Sequence, residues 1–447
     1  MKSMLQTYFT SRKARAIWSF IIVFGITFFL SLRLTDPDFG WHLQAGKYIL
    51  AHGIPYYDIF SYTAPHFPWV NAEWLHDVFI ALLYNIGGWI LVAIVFSLIW
   101  TSGMILASRL FDVSIILISF ISIIDFVMVR PSAWALFFVA IIERILEQTK
   151  KHLFYLLPFI IMLWANLHGS FLVGLVFIVF YKIVRKTPIP WTIIIACFAA
   201  TFINPYGPHL YHEVFSIVGD SKLHYRINEW RPLSYPNFFF ISGAILIGMF
   251  FAVQKDLRKI KYLLPVFLVL ASISSVRYYL IFMAGTVRFF EEAFEKLKHQ
   301  IVELHNRWTM LYFVVLITLS IVCIGLYKDS KAQTPLPEKA AAYLGINGCS
   351  GNIFNFYDFG GFLLGKNPEQ RLFIDGRMPS WKYNGIDIFD LYEKTYASST
   401  VREKVFKEYN ITCVVAGKSR PDIILELTAQ GWQTVIDEPN SVLLEQK

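Results

Sequence analysis

Apolar stretches of about membrane-spanning length recur along most of this sequence, and that recurrence constrains the fold more than any other feature. A helix needs ~20 apolar residues to cross the hydrocarbon core of a bilayer, with a range of roughly 17–25. By that ruler, spans are predicted near 16–34, 88–108, 113–129, 132–148, 153–168, 170–184, 190–204, 237–254, 262–277, 278–292 and 308–327. The pair at 262–292 is interrupted by Arg277 and Arg288. Only 16% of residues are charged and the mean hydropathy is +0.50, whereas a soluble domain carries about 25% charged residues. The 41 Phe, 23 Tyr and 13 Trp exclude a disordered chain. The predicted fold class is a polytopic α-helical membrane protein of about 11 spans with a small C-terminal α/β domain.

A net charge of +8 does not indicate nucleic acid here, because the Lys and Arg residues sit in short clusters between apolar runs. That is the positive-inside pattern. With the N-terminus inside, 19 basic residues fall on the cytoplasmic side of the spans and 7 on the outer side. An odd number of spans then places the C-terminal domain outside. The first apolar run, Ile17 to Leu32, follows Lys2, Arg12, Lys13 and Arg15 without a small-residue cleavage site, so it reads as a signal anchor. The expected location is the cell (plasma or inner) membrane, with the bilayer as partner.

Residues 1–327 form the predicted membrane domain, with outer loops at 35–87 and 205–236. Residues 328–447 form the extracytoplasmic α/β domain. The first loop carries two helical patterns: Gly40 to Ala51, stopped by Gly53 and Pro55, and Ala72 to Ile86, stopped by Gly87-Gly88. Both are expected to lie on the membrane surface. In the tail, β-rich runs at Asn352–Phe356, Arg371–Ile374, Ile411–Val415, Gln433–Ile436 and Ser441–Leu444 alternate with helical stretches at Pro337–Leu344 and Pro421–Gln430. Four cysteines are present, Cys197, Cys323, Cys349 and Cys413. No CxxC or Cys/His spacing suits zinc, and for the tail pair two unpaired buried thiols are expected rather than a disulfide.

Titratable side chains crowd the outer face. His42, His52, His66, His76, His168, His209, His212 and His224 lie there, and the first loop adds Asp36, Asp38, Asp58, Glu73 and Asp77. The sharpest constellation is Asp36-Pro37-Asp38-Phe39-Gly40-Trp41-His42, directly after the first span. A carboxylate at the membrane boundary is partly desolvated and suits removal of a proton from an attacking hydroxyl. Two carboxylates two residues apart also suit a hard divalent cation such as Mg²⁺. The plainer alternative is a loop turn in which Asp38 caps the next helix.

These residues resemble a known superfamily. Asp36-x-Asp38, Trp41-His42, Gly46, Gly53-x-Pro55, Asp58-x-Phe60-Ser61-Tyr62-Thr63, Trp69 and Glu73-Trp74-Leu75 are similar to bacterial multispan proteins of the C-type glycosyltransferase superfamily. So are Arg130-Pro131, Trp164 to Gly169, Asn204 to Gly207, Glu229-Trp230, Asp358 to Gly361 and Phe373 to Arg377, in particular to an uncharacterised bacterial group. The resemblance covers nearly the whole chain. It implies a sugar donor on a polyprenyl phosphate, an active site facing away from the cytoplasm, and a first-loop acid as base. Asp36 and Asp38 are the positions that match. The tail matches no accessory domain of the better-known enzymes.

Further candidates follow from chemistry. Asp125 lies within a span, where acids are functional candidates by default, with an ion pair to Arg130 as the plainer role. Asn166 and His168, at an outer helix end, suit a polar cavity or an interhelical hydrogen bond. Arg277, Arg231 and Arg226 are outer guanidinium groups suited to a lipid phosphate, and Arg277 is favoured because it lies between two apolar runs. The first-loop aromatics suit sugar faces, and the membrane interface for most of them. Asp375-Gly376-Arg377 reads as a structural turn rather than a binding one. No phosphate-binding glycine loop is present, so ATP or NAD chemistry has no support.

With these residues, the resemblance implies a membrane glycosyltransferase that moves a hexosyl or pentosyl group from a polyprenyl-phosphate-linked donor to an envelope glycan, lipid or protein. Asp36 and Asp38 are the base or the ligands of a Mg²⁺ or Mn²⁺ ion, His42 and Glu73 position the acceptor or ion, and Arg277 holds the donor phosphate. Asn166, His168 and Arg231 are further substrate-binding candidates. The alternatives are a transporter or lipid flippase lined by Asp125, Asn166 and Arg277, and a non-catalytic anchor that presents the tail.

Overall fold

The computed structural model describes residues 11–34, 36–148, 150–232, 238–253, 262–301 and 336–446. The span expected at 308–327, and Cys323 within it, lie outside the described residues. Each of the other apolar runs is helical. The helices are Arg12–Arg33, Trp74–Ala107, Val113–Ser122, Ala133–Leu146, Leu157–Leu167, Phe171–Ile183, Trp191–Ala200, Phe238–Val253, Leu263–Ser274 and Tyr279–Ile301. Two of them, Arg12–Arg33 and Trp74–Ala107, are long and apolar enough to cross a membrane. Several others are apolar but run for 10–17 residues. At about 1.5 Å of rise per residue, such helices cover roughly 15–25 Å of a ~30 Å core.

The chain divides into two compact units, one formed by Met1–Thr35, Ile86–Pro208 and Ile227–Leu326, the other by Asp36–Asn85, His209–Arg226 and Tyr327–Lys447. The Trp74–Ala107 helix is broken where this division falls, because Gly87 (φ −141°) and Gly88 (φ 60°) leave the helical region. Only glycine adopts the second of these conformations without strain.

In the first unit two charges within apolar helices, Arg288 and Glu291, find partners. Arg288 is buried in the Tyr279–Ile301 helix. Its Nη2 donates to the Tyr181 hydroxyl at 2.7 Å and lies 3.2 Å from Glu143 Oε1, and its Nη1 pairs with Glu147. The Glu291 carboxylate accepts from Ser108 Oγ (2.5 Å) and from the backbone N–H groups of Arg109 (2.6 Å), Leu110 (3.0 Å) and Asp112 (3.0 Å). It satisfies the orphan donors of the turn between two apolar helices. Polar groups in an apolar bundle persist where they are paired in this way.

The second unit contains the α/β tail. Strands β1 (Asn352–Asn355), β4 (Ile411–Gly417), β5 (Gln433–Asp437) and β6 (Ser441–Glu445) form one sheet in the order β1-β4-β6-β5. β1 and β4 are parallel, with Ile353 opposite Cys413, and the other pairs are antiparallel. β2 (Lys382–Tyr383) and β3 (Ile386–Asp387) make a separate hairpin. Ile353, Phe354, Val414, Val415 and Leu443 are 0–1% exposed and form the centre of its core.

Three expectations are corrected in this unit. The run Arg371–Ile374 is not a strand of the sheet, because Leu372 bridges Ile353 and Ser61 singly and gives its own N–H to Phe60 O and its O to Tyr62 N–H. Its hydrogen bonds go to the first loop instead of a ladder. The first loop's helix, Phe39–His52, does not lie alone on a surface: Phe39 to Gly46 are buried, and Gln44 Nε2 donates to Gly365 O (3.1 Å) in the tail helix Gly360–Lys366. Cys349 and Cys413 form a disulfide, their Cα atoms 6.1 Å apart. Gly348 (φ 68°) turns the chain just before Cys349, which leads into β1 beside β4. Tail disulfides belong to oxidising compartments. Cys349→Ser is expected to lower the unit's stability by about 2–4 kcal/mol, read as a lower melting midpoint that reductant reproduces in the parent protein. An unchanged midpoint would mean that the crosslink contributes nothing.

Candidate functional site

The sequence-predicted loop is an ordered turn in the second unit. Asp36 is 4% exposed, and its Oδ1 accepts the Asp38 N–H at 2.9 Å while its carbonyl accepts from Phe39 N–H at 3.0 Å. Pro37 fixes the backbone between them. Asp38 stands at the N-terminus of the Phe39–His52 helix but its side chain does not cap it. Its carboxylate instead lies against Gly376 so closely that a Cβ there would be 1.9 Å from Asp38 Oδ1. The Asp375-Gly376-Arg377 turn of the tail thus carries a glycine because Asp38 rests on it.

His42 follows one turn later and is 4% exposed. The helices of the first loop meet at Gly46, where a Cβ would be 2.0 Å from Asp77 O. That approach brings His42 Nδ1 to 2.6 Å from Asp77 Oδ1, with His42 Nε2 3.8 Å from Glu73 Oε2. Asn71 Nδ2 donates to the other Asp77 oxygen at 2.7 Å. Asp77 precedes the Gly87-Gly88 break and lies in the loop's own part of its helix. Burial alone would discharge His42, but the carboxylates of Asp77, Glu73 and Asp38 outweigh it and raise its pKa. Burial also raises that of Asp77, against the pull of His42, Asn71 and Arg377. The pair therefore holds a proton more firmly than either group would in water. The His76 ring meets the His42 ring edge-on at 5.0 Å between centroids.

Beside this lies an ion triad that the sequence reading missed. Arg377 Nη1 is 2.7 Å from Asp58 Oδ1, Nη2 is 2.7 Å from Asp375 Oδ2, and Nε donates to Asp375 Oδ1 at 2.9 Å. Phe60, Trp69 and Trp381 cover the guanidinium at 5.0, 4.7 and 5.3 Å. Burial opposes its charge, but the two carboxylates prevail and its pKa is raised. The turn expected at Asp375-Gly376-Arg377 is thus structural, and Trp41, Phe60 and Trp69 belong to this core, at 5–7% exposure, rather than to a membrane interface. Tyr56 and Tyr57 are exposed.

The remaining candidates are spread over both units. Arg226 is committed within the second: Nη2 donates to both oxygens of Asp387 (2.9 Å) and to Asp390 (2.5 Å), and Nη1 to Pro379 O. These bonds, more than offsetting the effect of burial, hold Asp387 down at about 2. A phosphate role for Arg226 is therefore set aside. In the first unit Arg277 lies 5.0 Å over the Trp230 ring and, among the described residues, forms no ion pair. Arg231 accepts the Val276 N–H through its carbonyl at 3.0 Å, and its side chain is exposed. Asn166 gives its amide hydrogens to Met162 O (2.8 Å) and Ile203 O (2.9 Å), an interhelical tie. His168, 3% exposed, bonds Ser170 Oγ through Nδ1 at 2.6 Å. Arg130 pairs with Glu229 at 2.6 Å, and Asp125 lies half-buried in a short 3₁₀ turn.

Two donor sets suit cations of different kinds. Asp36 and Asp38 offer carboxylate oxygens only, the ligand type that suits hard cations such as Mg²⁺. Among the described residues, one group of three or more His, Cys, Asp or Glu donors converges, His42, His76 and Asp77, with ligand atoms within 4.8 Å of one another.

This architecture is similar to that of a solved membrane glycosyltransferase. No family model matches the sequence, and no curated protein does; the likeness is to solved structures. The chain is similar to the archaeal oligosaccharyltransferase AglB from Archaeoglobus fulgidus in complex with an inhibitory peptide and a dolichol-phosphate. The two share 12% identity over 92% of this chain and 70% of that one, with a TM-score of 0.59. The apo form of the same enzyme aligns at 11% identity, 90% and 69% coverage and a TM-score of 0.57. The form tethered to an acceptor peptide containing the NVT sequon aligns at 12%, 92%, 70% and 0.59. At such identity, what is shared is the fold.

Proposed function

We propose that this chain is a multi-pass glycosyltransferase of the cell membrane, with about 11 spans, that moves a sugar from a polyprenyl-phosphate-linked donor to an acceptor outside the cytoplasm. The observation that carries the reading is the likeness of fold over 92% of the chain to an enzyme solved with dolichol-phosphate and peptide. The Asp36-Pro37-Asp38 loop, the tail disulfide and the charge asymmetry of the sequence support it. The acceptor is an envelope glycan, lipid or protein, and the group transferred is a hexose or pentose.

In this reading Asp36 takes the proton of the attacking group as its bond to the anomeric carbon forms and the bond to the donor phosphate breaks. A Mg²⁺ or Mn²⁺ ion on Asp36 and Asp38 would supply charge stabilisation for the departing phosphate. Arg277, which forms no ion pair among the described residues, is assigned to the donor phosphate. His42, fixed by Asp77, and Glu73 position the acceptor or an ion, with His168, Asn166 and Arg231 as further substrate-binding candidates.

The test is mass spectrometry of envelope glycans and polyprenyl-linked sugars from cells with and without the gene. Loss of one glycan together with accumulation of one lipid-linked sugar is expected. Unchanged glycans with a displaced lipid-linked pool across the membrane would favour a flippase. No change in either would favour an anchor that presents the tail.

A further inference from the structure

We propose that His42, His76 and Asp77, with Glu73 at the rim, form a nitrogen-rich transition-metal site, of the zinc kind, that fastens together the two helices of the first loop. It is separate in chemistry from the all-oxygen pair Asp36 and Asp38. The inference does not depend on the glycosyltransferase reading.

The spacing is the first support. Glu73, His76 and Asp77 stand three and four residues apart, which puts them on one side of a helical turn. His42 comes from the facing helix, where glycine at position 46 permits close approach. The ligand atoms of His42, His76 and Asp77 lie within 4.8 Å of one another, and the three residues are 4%, 1% and 0% exposed. Zinc bonds of ~2.0–2.2 Å place neighbouring ligands roughly 3.3 Å apart, so the donors close on an ion with small side-chain movements.

The surroundings are the second support. Metal-ligating carboxylates and imidazoles are oriented by an outer layer of hydrogen bonds. Asn71 Nδ2 holds Asp77 Oδ2 at 2.7 Å, and the Asn71 Oδ1 accepts from Glu73 N–H at 3.0 Å, so one side chain braces two members. Trp41 stacks on His42 with ring centroids 3.5 Å apart and fixes its plane. Glu73, with 21% of its side chain exposed, leaves a way in from solvent. Two imidazoles with a carboxylate suit Zn²⁺, and Co²⁺ as its probe, in preference to Mg²⁺ or Ca²⁺. On binding, the ion replaces the proton shared between His42 Nδ1 and Asp77 Oδ1, and that proton passes to solvent.

The experiment uses the full-length protein, stripped of metal in detergent and titrated with Co²⁺. One equivalent should give visible absorption, which Zn²⁺ abolishes and Mg²⁺ at the same concentration leaves intact. His76→Gln and Asp77→Asn should each weaken Co²⁺ binding at least tenfold and remove the rise in melting temperature that Zn²⁺ gives the parent. Two variants are used so that one failing to fold does not decide the matter, and elution as a single species qualifies each. No Co²⁺ binding by the parent protein, binding unchanged in the folded variants, or displacement of Co²⁺ by Mg²⁺ would each overturn the site.

Discussion

Arg377→Met is expected to lower the stability of the second unit by about 3–5 kcal/mol, because removing one partner of a buried ion group leaves the others charged and uncompensated. The side chains of Arg377, Asp58 and Asp375 are 2%, 0% and 0% exposed. Both carboxylates keep other donors after the change: Asp58 accepts from Phe60 N–H, Ser61 N–H and Ser61 Oγ, and Asp375 from the N–H of residue 377. Those bonds satisfy lone pairs without supplying charge. Arg377→Lys keeps the charge but loses the planar fork that reaches Asp58 and Asp375 together and stacks between Trp69 and Trp381, so it should fall between parent and Met variant. Tryptophan fluorescence during denaturation is the measurement, since two indoles touch the guanidinium. A Met variant with the parent's midpoint would show that the triad is not what holds the first loop and tail residues together.

That triad also marks where sequence reading stops. Asp375-Gly376-Arg377 was legible as a turn, because aspartate followed by glycine has local backbone preferences that need no partner. Asp58 is 319 positions away from Arg377, and nothing local in either segment announces the other. The same distance hid the fates of other residues. Arg226 read as an outer cation available for phosphate, yet Asp387 and Asp390, 161 and 164 positions on, occupy it. Cys349 and Cys413 read as separate thiols, since their pairing depends on β1 lying parallel to β4. Trp41, Phe60 and Trp69 carry apolar rings that fit a membrane interface as well as a core, so composition had no means of choosing.

What was legible had a local cause. Apolar runs impose helices because an unpaired backbone group in lipid is too costly to leave, and every expected run among the described residues is helical. The Gly87-Gly88 stop appeared where expected, as a break inside one long helix. Length was less legible than type: helices of 10–17 residues are shorter than the apolar runs that contain them, because their ends unwind into 3₁₀ turns such as Ile124–Phe126 and Val276–Tyr278. Around Asp36 and His42 the local motif located the loop. The partners Asp77, Asn71 and Gly376 emerged only from tertiary packing, although the Glu73-x-x-His76-Asp77 spacing opposite His42 was a signal available beforehand.

Asp36→Asn is expected to reduce sugar transfer by about 10²–10⁴-fold, the usual cost of losing a general base, while leaving the fold intact. The structural part of that expectation is specific. Asp36 Oδ1 accepts the Asp38 N–H at 2.9 Å, and an asparagine Oδ1 accepts the same bond in the same place, so the turn and the following helix keep their geometry. What the change removes is the negative charge and the capacity to take a proton. Asp38→Asn should act differently. Its carboxylate rests against Gly376, two residues along from Asp36 in a turn whose Asp36 carbonyl accepts the Phe39 N–H, so the two side chains need not face the same way. It is assigned to orienting the loop or holding the ion, and its loss should raise the acceptor KM or the metal concentration needed for half-activity more than it lowers kcat. Both variants are to be assayed in proteoliposomes with a polyprenyl-phosphate-linked donor, with melting midpoints measured on the same preparations. A kcat unchanged in Asp36→Asn and lost in Asp38→Asn would exchange their roles. Full activity in both single variants and in the double variant would make this turn purely structural and leave the transferase reading without its base.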